Sequence, residues 1–293
     1  LMDNKVFPAV CEHKGTGGRK TMFYKDGVLE RSTLLSGASV AHGFSTRHGG
    51  VSTHPYTASM NLAMGREDPD GTVRENTELF ARAVTGGSIG SGSVVTASQI
   101  HSATVRVVTT DDCGAGIHMA SGEPCDGFVT DVPGVMPVIR VADCVPILLC
   151  GEKACGDPVV GAVHAGWRGS ASGIAAVAVE KMVGLGARRE TIRAAVGTHI
   201  GLCCYEVRDD FVRAAAETAG EAFARRFCIP YGGRYYADLT GMNRYQLRRA
   251  GIDASAIDVS PWCTRCASAR YHSHRATCGR RGAMGAGIVI LPE

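Results

Sequence analysis

Short runs of apolar residues, separated by glycine, proline and polar turns, recur along the chain and predict many β-strands. The runs occupy residues 40–45, 94–97, 104–108, 127–130, 135–141, 145–149, 159–163, 194–200, 257–260 and 287–291. Asp26-Gly27 lies between two further short segments and predicts a β-hairpin, because Asp-Gly favours a tight turn between antiparallel strands. Strands therefore make up most of the predicted regular structure.

Helical patterns are fewer. Stretches that end at glycine or alanine and have helical composition occupy residues 172–183, 209–219 and 238–250. Strands that come in runs, with occasional helices between them, favour an α+β fold with mixed or antiparallel sheets over a doubly wound fold. No linker, internal repeat or low-complexity tract divides the chain, so we expect a single domain over residues 1–293, with a poorly patterned N-terminal segment at 1–37.

One more helix is predicted behind residue 72. The sequence TVRE at 72–75 has the pattern of a capping box, in which the first and last side chains satisfy backbone amides at a helix start. Leu79, Phe80 and Val84 then supply its apolar face.

Composition and charge exclude several classes of protein. Of 293 residues, 45% are hydrophobic and 20% charged, and the formal net charge of +3 is too small to predict binding to nucleic acid or membrane. The first twenty residues contain no apolar signal core, and no apolar run reaches the ~18 residues of a membrane helix. Several of the twelve cysteines stand inside strand-like runs. We therefore expect a cytoplasmic, reduced protein.

Three side chains that commonly bind zinc stand where apolar runs meet turn-forming residues. They are His101 in QIHS, Cys144 in ADCVP and His164 in VHAGWRG. Two imidazoles and one thiolate leave the fourth position of a tetrahedral zinc open, which is typical of a catalytic site. Their spacing matches no short metal motif, so only the fold can bring them together. Taken singly, Cys144 and His164 also suit the core of a strand.

The neighbours of these residues indicate a cleft. Asp143 is a carboxylate within an apolar run, which is costly to bury unless it is paired, and Pro146 interrupts strand pairing. Both predict a strand end that opens beside Cys144. After His164, a glycine turn leads to the predicted helix start, which forms a pocket for an anion, and Arg168 would add positive charge there.

Two further segments carry less specific signals. Arg47 lies in a glycine-containing loop and is either a clamp for phosphate or carboxylate or a solvated arginine. Cys263 and Cys266 form a CxxC motif, with His272, His274 and Cys278 nearby, and fit a second zinc site, a redox pair or an ordinary loop. Cys203 and Cys204 are adjacent in sequence, which disfavours a disulfide between them.

Longer motifs recur in a fixed order along residues 40–293. They are HGFSTRHGGVS (42–52), QIHSATV (99–105), DGFVTDVPGVMPVIRVADCVPILL (126–149), VGAVHAGWRG (160–169), HIGLCCYEV (199–207) and DLTGMNRYQL (238–247). In this combination they resemble the YfiH-type family, also called the laccase-domain or polyphenol oxidase family. The chain departs from the family pattern at Ser102, Val141 and Leu202, where the family usually has Gly, Thr and Pro. None of these changes removes a predicted ligand.

The resemblance implies a function and a fold. It implies a zinc-dependent purine nucleoside phosphorylase with adenosine deaminase activity, whose partners are small molecules, a purine nucleoside and phosphate. It implies that His101, Cys144 and His164 hold the zinc, the same three residues that ligand chemistry indicates. It also implies mixed sheets packed in layers with flanking helices, similar to the catalytic domain of cytotoxic necrotizing factors.

Roles for the surrounding residues follow from this activity. We expect Arg47 and Arg168 to hold phosphate or position the ribose, and Asn61 to pair with sugar hydroxyls. Asp143 is expected to carry a proton or to orient the metal ligand beside it. In phosphorolysis, phosphate attacks C1′ of the nucleoside; in deamination, water activated at the zinc attacks C6 of adenine.

Three alternatives stay open at this point. The family's older name suggests a copper-dependent polyphenol oxidase, although HSH at 272–274 is the only His-x-His in the chain. A Cys–His hydrolase acting on a peptidoglycan precursor would use Cys144 as a nucleophile. A scaffold or metal-storage role would need no chemistry. Metal content separates these: about one zinc per chain, several coppers, or none. The oligomeric state and the preferred nucleoside are not indicated.

Overall fold

Two six-stranded sheets form the centre of the computed structural model, which describes residues 21–37 and 39–292. The first sheet has the order β1 (Phe23–Asp26), β2 (Leu29–Ser32), β3 (Val40–Ser45), β15 (Met284–Ile290), β7 (Met136–Val141), β4 (Val94–Val95). The second has the order β14 (Ile257–Val259), β10 (Arg193–Val196), β8 (Val145–Glu152), β9 (Pro158–Ala165), β6 (Gly127–Thr130), β5 (Val105–Val107). Most of the poorly patterned N-terminal segment, residues 1–20, lies outside the described residues.

A third, smaller sheet and six α-helices complete the described structure. The sheet has the order β11 (Glu206–Val207), β13 (Arg234–Ala237), β12 (Cys228–Tyr231). The helices are α1 (Asp70–Thr85), α2 (Trp167–Ala171), α3 (Ile174–Gly184), α4 (Asp209–Ala219), α5 (Glu221–Phe227) and α6 (Leu239–Arg249). None of these helices is long and apolar enough to cross a membrane.

Successive side chains along a strand point to opposite faces of its sheet, and this alternation divides the core into layers. On β8, Ile147 and Leu149 face a cluster that includes Ile174 of α3, whereas Leu148 faces the other six-stranded sheet. On β7, Met136 and Val138 face helix α1, and Ile139 faces the second sheet. The order of layers is therefore α1, first sheet, second sheet, then α3 and α6.

Pairing in the sheets is mixed, as the sequence predicts. β4 with β7, β5 with β6 and β10 with β14 are parallel pairs, and the remaining pairs are antiparallel. The predicted hairpin around Asp26-Gly27 is confirmed as β1 and β2. The α+β fold of layered mixed sheets with flanking helices is confirmed.

Several predicted boundaries are wrong. Helix α1 begins at Asp70 after Pro69 and has no side-chain cap, so the capping box predicted at 72–75 lies inside the helix. Its apolar face contains Phe80 and Val84, but Leu79 is 36% exposed. The helix predicted over 172–183 is α3, which begins two residues later and ends at Gly184. A separate short helix, α2, precedes it, and Gly173 between them adopts a φ of +79°.

One predicted strand feature is wrong, and several short elements were not predicted. Pro146 lies inside β8, which pairs with β9 on one side and β10 on the other, so it does not interrupt pairing as predicted. Its register partner on β9 is His164. Helix α5 and the hairpin of β12 and β13 were not predicted, because their apolar residues are scattered among arginines and tyrosines.

Candidate active site

The structure brings His101, Cys144 and His164 together. His101 stands in the loop after β4, Cys144 in the turn between β7 and β8, and His164 near the end of β9. Their ligand atoms all lie within 4.8 Å of one another. The Cys144 Sγ is 3.9 Å from the His101 Nε2, and the two imidazole centroids are 4.9 Å apart with an interplanar angle of 80°.

This donor set fits one metal ion. A tetrahedral zinc with its usual bond lengths separates a thiolate sulfur from an imidazole nitrogen by about 3.6 Å, close to the 3.9 Å observed. His164 is buried, Cys144 is half-buried and His101 is exposed. The three donors therefore form one side of a site whose remaining side faces outward, as a catalytic metal requires.

Asp126, which sequence analysis did not select, holds both histidines. Its Oδ1 is 2.8 Å from the Nδ1 of His164 and accepts the backbone N–H of His101 at 3.0 Å. Its Oδ2 accepts the backbone N–H of Ser102 at 2.6 Å and the Ser102 hydroxyl at 2.8 Å. The carboxylate thus directs the Nε2 of His164 toward the metal position. Ser102, a departure from the family pattern, adds a contact that glycine could not make.

Without a bound metal ion, the charges of the trio favour a Cys144 thiolate beside a protonated His164. Burial raises the pKa of the Cys144 thiol, but the positive His164 and the hydrogen bond from His101 lower it more strongly, to about 6. Burial lowers the pKa of His164, but the Cys144 thiolate and the Asp126 carboxylate raise it well above its usual range. Burial raises the pKa of Asp126, and hydrogen bonds from His164 and Ser102 lower it to about 2.

Backbone geometry around the trio is unusual. His101 has a φ of +60° and Asp143, directly before Cys144, a φ of +88°; only one other described non-glycine residue has a positive φ. Such left-handed conformations are unfavourable for residues with a Cβ and concentrate at functional sites. Gly166, two residues after His164, passes so close that a Cβ would lie 2.6 Å from the His101 ring and 3.5 Å from the Cys144 sulfur.

Asp143 is fixed by hydrogen bonds to both carboxylate oxygens. Its Oδ1 accepts the Thr264 hydroxyl at 2.5 Å, and its Oδ2 accepts the backbone N–H of Arg275 at 2.7 Å. The carboxylate is buried, and its backbone carbonyl accepts the N–H of Ile200. These contacts attach the turn that carries Cys144 to two C-terminal loops.

Arg168 lies in α2, four residues after His164, and the other two predicted substrate residues make hydrogen bonds within the protein. Arg168 is exposed and stacks on Trp167, 4.4 Å from its ring centroid. Arg47 donates to the carbonyls of Ala58 and Ser268, so it joins two loops and these donors are not available for an anion.

Asn61 is corrected from a sugar contact to a buried structural residue. Its Nδ2 donates to Asp68 at 2.8 Å and to the Ala63 carbonyl, and its Oδ1 accepts the N–H groups of Ala63 and Ala283. With no exposed surface and every amide group engaged, it has nothing to offer a sugar hydroxyl.

One positive side chain that the sequence analysis missed, Arg281, interacts electrostatically with Cys144. Burial and the charge of Arg66 lower the pKa of Arg281, whereas the negative charges of Cys144 and Asp143 raise it. The Nε of Arg281 is buried and has no hydrogen-bond partner. Burial and Arg281 also lower the pKa of His274. The Arg281 guanidinium therefore adds positive charge that interacts with Cys144 and Asp143.

Known proteins support the relationship that the motifs indicate. The family model described as multi-copper polyphenol oxidoreductase laccase matches residues 41–291. A purine nucleoside phosphorylase of Deinococcus radiodurans is 38% identical over 257 residues, which cover 87% of this chain and 90% of the relative. The purine nucleoside phosphorylase YlmD of Geobacillus stearothermophilus is 36% identical, with 84% and 89% covered. Adenosine deaminase RL5 of an unknown prokaryotic organism is 31% identical, with 84% and 93% covered.

Solved structures agree with the sequence relatives. The crystal structure of the hypothetical protein YfiH of Bacillus licheniformis superposes with a TM-score of 0.81 at 30% identity, covering 92% of this chain and 98% of that one. The chain therefore belongs to the family described as multi-copper polyphenol oxidoreductase laccase, the YfiH-type family that its motifs resemble.

Proposed function

We propose that the protein is a zinc-dependent purine nucleoside phosphorylase that also deaminates adenosine. The observation that carries this proposal is the outward-facing trio of His101, Cys144 and His164, together with Arg281, whose charge interacts with Cys144 and whose Nε has no hydrogen-bond partner. In such a site, a metal ion held by the trio would act on the purine nucleoside, and the guanidinium would bind phosphate. The names of the relatives support the same two activities.

The residues of the trio fit zinc by donor type and spacing. Zinc, when bound, supplies a Lewis acid and brings the pKa of a bound water toward ~7. Asp126 keeps the His164 imidazole in one orientation, and Cys144 is held as a thiolate by its two histidine neighbours. Asp143 serves as a positioning residue, since both of its oxygens already accept hydrogen bonds.

In phosphorolysis, the bond between C1′ and the purine nitrogen breaks as a phosphate oxygen bonds to C1′. The products are the free purine, which takes up a proton, and ribose 1-phosphate. Arg281 is the residue that we assign to phosphate, because its Nε lacks a partner and its charge interacts with Cys144. Arg168 on the exposed rim is assigned to the ribose or to phosphate.

The test measures product formation and metal content together. Inosine should yield hypoxanthine only with phosphate present, and adenosine should yield inosine without it. Cys144→Ala should lose its catalytic zinc and both reactions, whereas Cys155→Ala, on an exposed turn, should keep them. Full turnover by Cys144→Ala would overturn the proposal.

The phosphate assignment has its own variant. Arg281→Ala should raise the KM for phosphate at least ~10-fold, as expected for loss of a charge-assisted contact, with a smaller effect on deamination. Arg280→Ala is the matched control, since Arg280 is exposed and stacks on Tyr56. Equal effects of both variants on phosphate KM would remove Arg281 from this role.

A second candidate rests on the thiolate itself. The lowered pKa of Cys144 and its neighbouring histidines also suit a Cys–His hydrolase, the alternative that would act on a peptidoglycan precursor. A chelator should abolish phosphorolysis but leave such a hydrolase active. Copper-dependent phenol oxidation is supported only by the description of the family, and copper content with oxidation of a phenol tests it.

A further inference from the structure

Four cysteines from two loops meet at a second place in the molecule. Cys203 and Cys204 lie in the loop before β11, and Cys263 and Cys266 lie in the loop after β14. Their sulfur atoms all fall within 4.8 Å of one another. The cluster combines the CxxC motif with the adjacent pair, although about sixty residues separate them in sequence.

The sulfur spacing suits a shared metal ion. The Sγ of Cys266 is 3.4 Å from that of Cys204 and 3.7 Å from that of Cys203. A zinc ion bound by four thiolates at its usual bond length of ~2.3 Å separates neighbouring sulfurs by about 3.8 Å. Disulfide sulfurs lie much closer, at about 2.05 Å. The cluster has nearly the size that a tetrahedral tetrathiolate site requires.

The surroundings also suit thiolates. The backbone N–H of Gly201 donates to the Cys263 sulfur at 3.2 Å, a contact that favours the charged form. Arg265, inside the CxxC motif, interacts with Cys204 and offsets part of the negative charge. Cys204 and Cys263 are buried, whereas Cys266 is exposed, which gives a metal ion a path to the cluster.

We propose that Cys203, Cys204, Cys263 and Cys266 bind one zinc ion as a closed structural site. The protein supplies all four ligands, so no position remains for substrate. The site is separate from the trio in its ligands, and its occupation does not depend on the function proposed above.

Such a site would stabilise the loops that hold Asp143, the residue before Cys144. Thr264, next to Cys263, donates its hydroxyl to Asp143. Arg275 donates to the carbonyls of Cys204 and Glu206 and, through its backbone N–H, to Asp143. A zinc ion that joins the two cysteine loops therefore fixes the residues that position Asp143 beside Cys144.

Zinc analysis of matched variants tests the proposal. The protein purified under reducing conditions should contain two zinc ions per chain. The variant Cys263→Ser/Cys266→Ser should contain one, and so should His101→Ala/Cys144→Ala. Cys155→Ser, an exposed cysteine outside both groups, should contain two. Zinc-edge X-ray absorption of His101→Ala/Cys144→Ala should show four sulfur ligands at about 2.3 Å.

Two results of these measurements would each overturn the proposal. One is unchanged zinc content in Cys263→Ser/Cys266→Ser; the other is a nitrogen or oxygen shell in the absorption spectrum of His101→Ala/Cys144→Ala.

If the double cysteine variant does not fold, Cys266→Ser replaces it, since this side chain is exposed. That variant should give up its second zinc to a competing chelator before the wild type does, and equal retention counts against the proposal. Disulfide-linked peptides from reduced, zinc-supplemented protein would likewise contradict it.

Discussion

One carboxylate, Asp126, governs the geometry of the trio at the scale of single residues. It contacts the ring of His164 and the backbone of His101, so the two histidines are fixed relative to each other before a metal binds. Loss of such a contact commonly lowers metal affinity because the ligand ring can then rotate.

Asp126→Asn should weaken zinc binding at the trio by ~10–100-fold, the range usual for partners of metal-binding histidines. Competition with a chelator measures this in the Cys263→Ser/Cys266→Ser background. Asp131→Asn, which alters a carboxylate paired with Lys153 on the surface, is the control and should bind zinc normally. Equal affinity in both variants would show that Asp126 has no orienting role.

Cys144 should react as a thiolate at unusually low pH when the metal is removed. Because its pKa is lowered to about 6, its alkylation by iodoacetamide should fall only as the pH drops through that value. In the denatured chain the midpoint should return to ~8.5. Peptide mass spectrometry follows this residue among the twelve cysteines. A native midpoint at the denatured value would contradict the charge arrangement.

Asn61→Ala should affect stability and leave the nucleoside KM unchanged. The variant removes one of three hydrogen bonds to the buried Asp68 carboxylate and leaves two backbone N–H groups without partners, which costs about 2 kcal/mol in the free energy of unfolding. Urea denaturation measures this, and Thr53→Ala, exposed in a nearby loop, is the control. An increased KM with unchanged stability would restore Asn61 as a sugar contact.

The sequence allowed the ligands to be predicted, but not their partners. His101, Cys144 and His164 are residue types that commonly bind zinc, so they can be identified as candidate ligands without knowledge of the fold. The roles of Asp126 and Arg281 could not be predicted in this way, because they depend on contacts between residues far apart in the sequence. Asn61 was misassigned for the same reason, since a polar residue in a loop gives no sign that it is buried.

At the scale of elements, the site depends on how closely β9 and its following turn approach the other loops. The N-terminus of α2 follows Gly166 immediately, five residues earlier than the sequence predicted. Long strands and helices were predicted well because their apolar periodicity is strong, and helix α4 matches residue for residue. Short elements with mixed composition, such as α5, lack that signal.

Gly166→Ala should displace the His101 ring and lower zinc content at the trio, with little change in global stability. The added Cβ would meet the ring at 2.6 Å, well inside contact distance. Gly184→Ala, at the end of α3 where a Cβ meets nothing within 4 Å, is the matched control and should keep its zinc. Normal zinc content in Gly166→Ala would show that the ring can move aside without cost.

At the scale of the whole molecule, stability is expected to come from the layer between the two six-stranded sheets. Phe128 on β6 is 1% exposed and packs there with Phe44, Ile139 and Leu148. The site lies at one edge of this layer, because His164 is on β9 and Cys144 directly precedes β8. Damage to the layer should therefore affect folding as a unit.

Phe128→Ala should lower the free energy of unfolding by ~3–5 kcal/mol, the usual effect of removing a buried aromatic ring. Val107→Ala, at a residue 43% exposed on the adjacent β5, should have little effect. Urea denaturation followed by fluorescence and by circular dichroism should give one coincident transition. Two separate transitions would contradict the prediction of a single domain over residues 1–293.

The left-handed backbone at Asp143 has a consequence for how this protein can change over evolutionary time. Glycine and asparagine accept a φ of +88° more readily than other residues, while valine and isoleucine are nearly excluded from it. Which residues can replace Asp143 is therefore limited first by the backbone conformation and only then by the need for a negative charge. A library of all substitutions at 143, selected for folded protein alone, should already be enriched in Asp, Asn and Gly.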